Sequence, residues 1–173
     1  MKHGPWCPEY AYHSNTQRGY YNNGFMPWAN SHTPGNVSGI VSRLTWSAKF
    51  SDIHDGLSNT IMFGEILPHK SFWNERGWMS IRFGWTATNC PLNFPVHGSN
   101  ENWDIGKYGP KTPCNSRHIV TCAQGFQSQH TGGAQFVMCD ASVQFISEHV
   151  DYSVYQSLGD RRDGRYIDGL IQE

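Results

Sequence analysis

The stretch "GFQSQHTGGAQFVMCDASVQFIS", Gly125 to Ser147, decides how this chain is read. "AQFVMC" and "SVQFIS" alternate apolar and polar residues with the two-residue period of half-buried strands. Asp140 and Ala141 lie between them, and a connection of two residues selects a tight β-hairpin. His130 stands ahead of the first strand, followed by Gly132 and Gly133, which permit a sharp bend. A catalytic reading joins His130, Asp140 and Ser142. It fails on local geometry, because a strand at 3.3 Å per residue separates the first two by about 20 Å. No serine sits on a G-x-S-x-G elbow. The structural reading is preferred: Asp140 accepts backbone N–H groups within its own turn, and His130 fixes a loop at the strand entrance.

Working outward, "DYSVYQSLG" predicts a short helix near the C-terminus. Asp151 is its N-cap, Val154 and Leu158 share a face, and Gly159 takes the left-handed position after the last turn. "RLTWSAKF" (43–50) alternates Leu44, Trp46, Ala48 and Phe50 and predicts a half-buried strand. Thr60 to Leu67 is an apolar run after the Asp55-Gly56 turn and predicts a buried strand. "WMSIRFGW" (78–85) predicts another. Residues 1–39 are rich in Gly, Asn, Pro and aromatics and read as an extended segment lying across the domain. Residues 87–118 lose all periodicity and read as a long surface loop. The expected fold is α+β: one domain over 1–173, mainly antiparallel sheet with long loops and a short C-terminal helix.

The bulk numbers bound the function. Formal net charge is −1, with 16% charged residues, which gives no electrostatic footprint for nucleic acid. Aromatics reach 14%, too many for a disordered chain. No apolar run of about 18 residues is present, so no membrane span is expected within this sequence. Of the five cysteines, Cys114 and Cys122 would close the shortest loop, and none forms a C-x-x-C pair. The nine histidines show no H-x-x-x-H or H-E-x-x-H spacing, so no metal ligand set is assigned. Asp160 to Gly164, with Asp168, offers oxygens to Ca²⁺ but lacks EF-hand spacing. Seven Trp and eight Tyr allow a sugar-stacking platform, with Trp28 and Trp103 in loops as its candidates. Glu65 closes the Thr60 run as a lone acid with no second carboxylate placed for glycoside hydrolysis. "NVS" at Asn36 is a minimal glycosylation acceptor.

Two blocks carry a resemblance. "DGLSNTIMFGE" contributes Asp55, Gly56, Ser58, Asn59, Thr60 and Glu65. "HTGGAQFVMCDASVQFIS" contributes His130, Gly132, Gly133 and Asp140, with nine residues between the His and the Asp. In this order they resemble the planctomycete-type pilin-like family of unknown function, named for a C-terminal motif of His, nine residues, Asp-Gly. Cys7-Pro8 resembles the family's Cys-Pro, and the likeness runs over roughly residues 5–165. It departs at Ala141, where Gly is usual, and at Thr131, where Pro is usual. A type I′ turn needs φ > 0 at that position, so the hairpin is expected to use another turn type.

The resemblance implies the globular head of a type IV pilin-like or pseudopilin-like subunit, without the leader and hydrophobic helix that usually precede it. It implies export, a periplasmic or cell-surface location, assembly with other pilin-like subunits, no enzymatic activity and no required cofactor. The ten motif residues are then structural. The alternatives are an extracellular carbohydrate-binding module and, behind it, a metal-dependent hydrolase.

Overall fold

The structure is a computed structural model that describes residues 39–41, 46–72, 74–75, 86–88, 90–97, 116–117 and 123–164. Its centre is a three-stranded antiparallel sheet in the order β1 (Ile61–Gly64), β2 (Gly133–Met138), β3 (Val143–Ser147). A helix, α1 (Tyr152–Leu158), follows it. This is an α+β arrangement.

The hairpin expected from the sequence is present, with Gly133 paired to Ser147 and Val137 to Val143. Alternation along β2 buries Ala134, Phe136 and Met138 and turns Gln135 and Val137 outward. The connection, however, has three residues and not two. The Ala141 N–H donates to the Met138 carbonyl at 2.9 Å, and the Met138 N–H donates to the Ser142 carbonyl at 2.9 Å. That pattern is a type I turn followed by one left-handed residue. The left-handed residue is Ala141, at φ 68°. The turn is thus another type than I′, yet it still places alanine where glycine is favoured, and Cys139 leaves the strand to enter the turn.

The strand expected over 60–67 is shorter and only partly buried. Its ladder pairs Ile61 with Met138, then Phe63 with Val137, then Gly64 with Phe136. Met62 is an extra residue, a β-bulge. Beyond the bulge the alternation changes phase, so Phe63 points outward at 62% exposure while Gly64 faces Phe136. The strand expected over 43–50 is absent from its described part. Ser47 makes an isolated bridge to Val41, and Phe50, 70% exposed, begins a 3-10 turn, Phe50–Asp52. The strand expected over 78–85 and the segment 1–38 lie outside the described residues.

The core comprises Ile61, Leu92, Phe126, Ala134, Phe136, Met138, Ile146, Tyr155 and Leu158. Phe136 is its hub, edge-on to Phe126 at 5.0 Å and to Tyr155 at 6.2 Å. Such pairs add roughly 0.5–1.5 kcal/mol each beyond area burial. Leu92 corrects the reading of 87–118 as a surface loop. In its described part Ala87, Thr88, Cys90, Leu92 and Val96 are all buried. A buried irregular segment must satisfy its backbone, and this one does so locally and against 124–127. Ala87 N–H donates to Gln124 O, Asn93 N–H to Phe126 O, and the Gln127 side chain to Phe94 O.

α1 begins as expected: the Asp151 carboxylate accepts the N–H groups of Ser153 at 2.8 Å and Val154 at 3.2 Å. Tyr155 and Leu158 reach the core, while Val154 is half-buried. Gly159 differs from expectation. Its φ is −88°, not left-handed, so any residue could adopt the backbone. Glycine is required here by space, because a Cβ would land on the Thr88 hydroxyl. That hydroxyl also bonds the Gln156 carbonyl at 3.4 Å, which fixes the approach.

Two stability outcomes follow. Gly159→Ala forces overpacking against Thr88 and lowers stability by about 1–3 kcal/mol in urea unfolding. Adding Thr88→Ala recovers part of that loss, so the two changes are non-additive. Ala141→Gly relieves the left-handed strain and, after the entropy of a freer unfolded chain is offset, stabilises by up to about 1 kcal/mol in the same assay.

Candidate functional site: the seam between two motif blocks

Thr60 and Glu65 bracket β1, and the two motif blocks meet along this strand. At one end the Thr60 carbonyl accepts the Cys139 N–H at 2.9 Å, and the Leu57 carbonyl accepts the Asp140 N–H at 3.1 Å. The first block therefore holds the tip of the hairpin. Asn59 and Thr60 close the turn by donating from their side chains to the carbonyls of Asp55 and Gly56, at 3.1 and 3.0 Å. Gly56, at φ 96°, opens the 3-10 turn Leu57–Asn59, within which Ser58 is exposed. Asp140 bonds within its own turn, its carboxylate accepting the Ser142 N–H at 2.8 Å.

At the other end Glu65 takes over from the ladder. Its Oε2 accepts the Gln135 N–H at 2.8 Å, and its carbonyl accepts the Gln127 N–H at 3.0 Å. Its Oε1 lies 3.2 Å from His130 Nε2. The Gln135 N–H is the main reason the Glu65 carboxyl stays below its ordinary range; burial opposes it, and the Ser128 hydroxyl and the His130 ring act in the lowering direction. The His130 N–H donates to Ser128 Oγ at 3.0 Å. Gly132, at φ 82°, makes the bend into β2, and its carbonyl accepts the Glu148 N–H at 2.8 Å. At Gly133 a Cβ would strike the Ile146 carbonyl and the Phe145 ring, which lies across it.

The pairing of Glu65 with His130 joins residues that the sequence left apart, one as a lone acid and the other as a loop anchor. His130 and Asp140 stay at opposite ends of β2, and Ser142 lies beside Asp140. The supporting residues Ser128, Gln135 and Asn93 gave no sequence signal. Asn93 is left-handed at φ 57° and bonds both the Ser128 N–H and the Glu148 carboxylate, at 2.8 Å each. A tolerance of asparagine for positive φ is a weak hint that no pattern in the sequence strengthens.

Beside the Glu65–His130 pair is an open groove of about 360 Å³, lined by Ile66, Leu67, Gln127, Ser128 and Gln129 as well as the pair itself. That is the lower end of the range for small-molecule pockets. Ser128 contacts Glu65 and the His130 backbone, so its hydroxyl is not placed as a nucleophile with the imidazole as its base.

In the segment raised for calcium, Asp160 Oδ1 accepts the Arg162 N–H at 3.0 Å, and the backbone N–H groups of Asp163 and Gly164 donate to the Asp55 carboxylate at 2.7 and 2.9 Å. Among the described residues no group of three His, Cys, Asp or Glu could hold a metal ion. Asp168, Asn36, Trp28, Trp103, Cys114 and Cys122 lie outside the described residues. Cys90 and Cys139 are buried, and burial pushes the Cys139 thiol up to about 11, with Asp140 adding to the effect. Among the described residues no helix is long and apolar enough to cross a membrane.

Comparison with known proteins fits this geometry. A family model described as a protein of unknown function (DUF1559) matches residues 6–153, a span that holds all ten motif residues and the whole sheet. No curated protein and no solved structure matches the chain. With most of its length covered by that match, the chain belongs to the DUF1559 family of proteins of unknown function.

Proposed function

We infer that this chain is a structural subunit, the globular head of a pilin-like surface protein, which assembles through its sheet. One observation carries the reading. Asp55, Asn59, Thr60, Glu65, His130 and Asp140 spend their polar groups on one another or on backbone groups, while the outer face of the sheet exposes apolar side chains beside Gln135. Phe63, Val137 and Val143 form one cross-strand row on that face, and Phe145 lies in the next. Phe63, Val143 and Phe145 are 62%, 65% and 49% exposed. A contiguous apolar patch of this kind marks a contact surface. Among the described residues β3 is an edge strand, and such an edge can extend the contact.

The resemblance of both motif blocks to the planctomycete-type pilin-like family supports the assembly reading and, with it, a location outside the cytoplasm. On this reading the chain has no catalytic role and needs no cofactor, and its partners are further subunits.

The test uses the protein in its native source. N-terminal sequencing is expected to find an apolar helix ahead of the head, and the protein is expected in assemblies that pellet. The Phe63→Ser, Phe145→Ser double variant keeps its unfolding midpoint within about 2 °C, as exposed substitutions do, but leaves the pelletable fraction. A native protein that is free and monomeric, or a variant that assembles as the parent does, would sink the reading.

A further inference from the structure

Beyond the family-matched span, residues 159–164 join segments that are remote in sequence. Arg161 is fully buried at 1% exposure. Its guanidinium donates to the Gly39 carbonyl at 2.7 Å and lies 4.7 Å from the Trp46 ring centre. Its carbonyl accepts the N–H groups of His54 at 2.7 Å and Asp55 at 3.3 Å. Asp55 reciprocates by accepting the Asp163 and Gly164 N–H groups. Gly159 abuts Thr88. One short stretch thus ties the chain at 39, 46, 54–55 and 88 to the end of α1.

At its centre sits Asp160, also 1% exposed. Oδ1 accepts the Arg162 N–H, but Oδ2 is buried with no hydrogen-bond partner. The charged groups facing it are Asp163 and Arg162 from its own segment and Asp55 from the turn it clasps. Two of these three are carboxylates. An unpartnered carboxylate oxygen in that setting is expensive as an anion and acceptable as a neutral hydroxyl.

We propose that Asp160 makes this junction a proton-gated clasp, closed in acid and loosened towards neutral pH. Burial is the main cause of the shift, and Asp163 and Asp55 add to it; together they carry the carboxyl up to about 6 against the opposing Arg162 N–H and charge. Once the clasp opens, Asp160 meets water and ionises near pH 4. Between about pH 4 and 6 the closed form holds a proton that the open form has lost, so rising pH favours opening. Below that window the bias vanishes, and above it the bias is full, at up to about a hundredfold in the opening equilibrium. The clasp stands apart from the assembly reading, since it concerns how segments remote in sequence are tied and not what the sheet contacts.

Amide hydrogen exchange on the whole chain at pH 4.5 and 7.5, corrected for intrinsic rates, tests it. The N–H groups of His54, Asp55, Asp163 and Gly164 are expected to lose about tenfold to a hundredfold of their protection at the higher pH. The Phe136 N–H, in the sheet centre, stays unchanged as a control. Asp160→Asn keeps the acceptor for Arg162 and is expected to hold the four amides equally at both pH values. Should that variant fail to fold, Asp163→Asn removes one facing charge and moves the midpoint of the transition to lower pH. Equal protection at both pH values in the parent, a pH dependence retained in Asp160→Asn, or an unmoved midpoint in Asp163→Asn would overturn the proposal.

Discussion

Met62 is one residue more than its partner strand can pair, and the sheet is organised around that excess. Without the bulge, strict alternation from Ile61 would bury Phe63 and turn Gly64 outward. With it, Phe63 joins Val137 on the outer face and Gly64 comes over Phe136. Glycine there leaves room for the Phe126 and Phe136 rings to meet edge to face, since a Cβ at Gly64 would lie 2.5 Å from one ring and 2.6 Å from the other. The same phase carries Glu65 to the Gln135 N–H and to His130. One inserted residue therefore sets the core contact, the apolar outer face and the carboxylate–imidazole pair.

What the sequence disclosed is what local rules govern. The hairpin was legible because alternation and a turn signal fall within fifteen residues. The helix was legible because Asp151 is a cap at the right distance from Val154 and Leu158, although it is Tyr155 and not Val154 that joins Leu158 in the core. The bulge was not, because an extra residue in an apolar run leaves the run apolar. Nor was the burial of Leu92 and Val96, since an irregular segment can enter a core whenever neighbours such as Gln124 and Phe126 accept its backbone N–H groups. Gly159 was placed rightly at the helix end but for the wrong reason: its role depends on Thr88, remote in the chain and invisible to any cap rule.

The candidate site divides the same way. Each motif residue stood out in the sequence, yet their partnerships run between blocks. Glu65 with His130 and Thr60 with Cys139 are long-range pairs, and no spacing within either block implies them. Arg161 carries no signal of its own in the sequence. Its guanidinium is buried under Trp46. A cation held that way draws on ring electrostatics as well as hydrogen bonding, and arginine suits it better than lysine because the planar group stacks.

The pairing of Ile61 with Met138 also has a kinetic side. β2 and β3 are neighbours in the chain, so their hairpin closes a loop of three residues and forms on the microsecond scale of such elements. β1 must pair across the 68 residues that separate Gly64 from Gly133, and that closure carries the larger entropic cost. The hairpin is thus the template, and the bulge is the register that β1 selects when it docks. A slip of one residue at that moment would place Phe63 in the core and Ile61 in water. The backbone bonds from Cys139 and Asp140 to Thr60 and Leu57 act as an end stop that admits one alignment and rejects its neighbour.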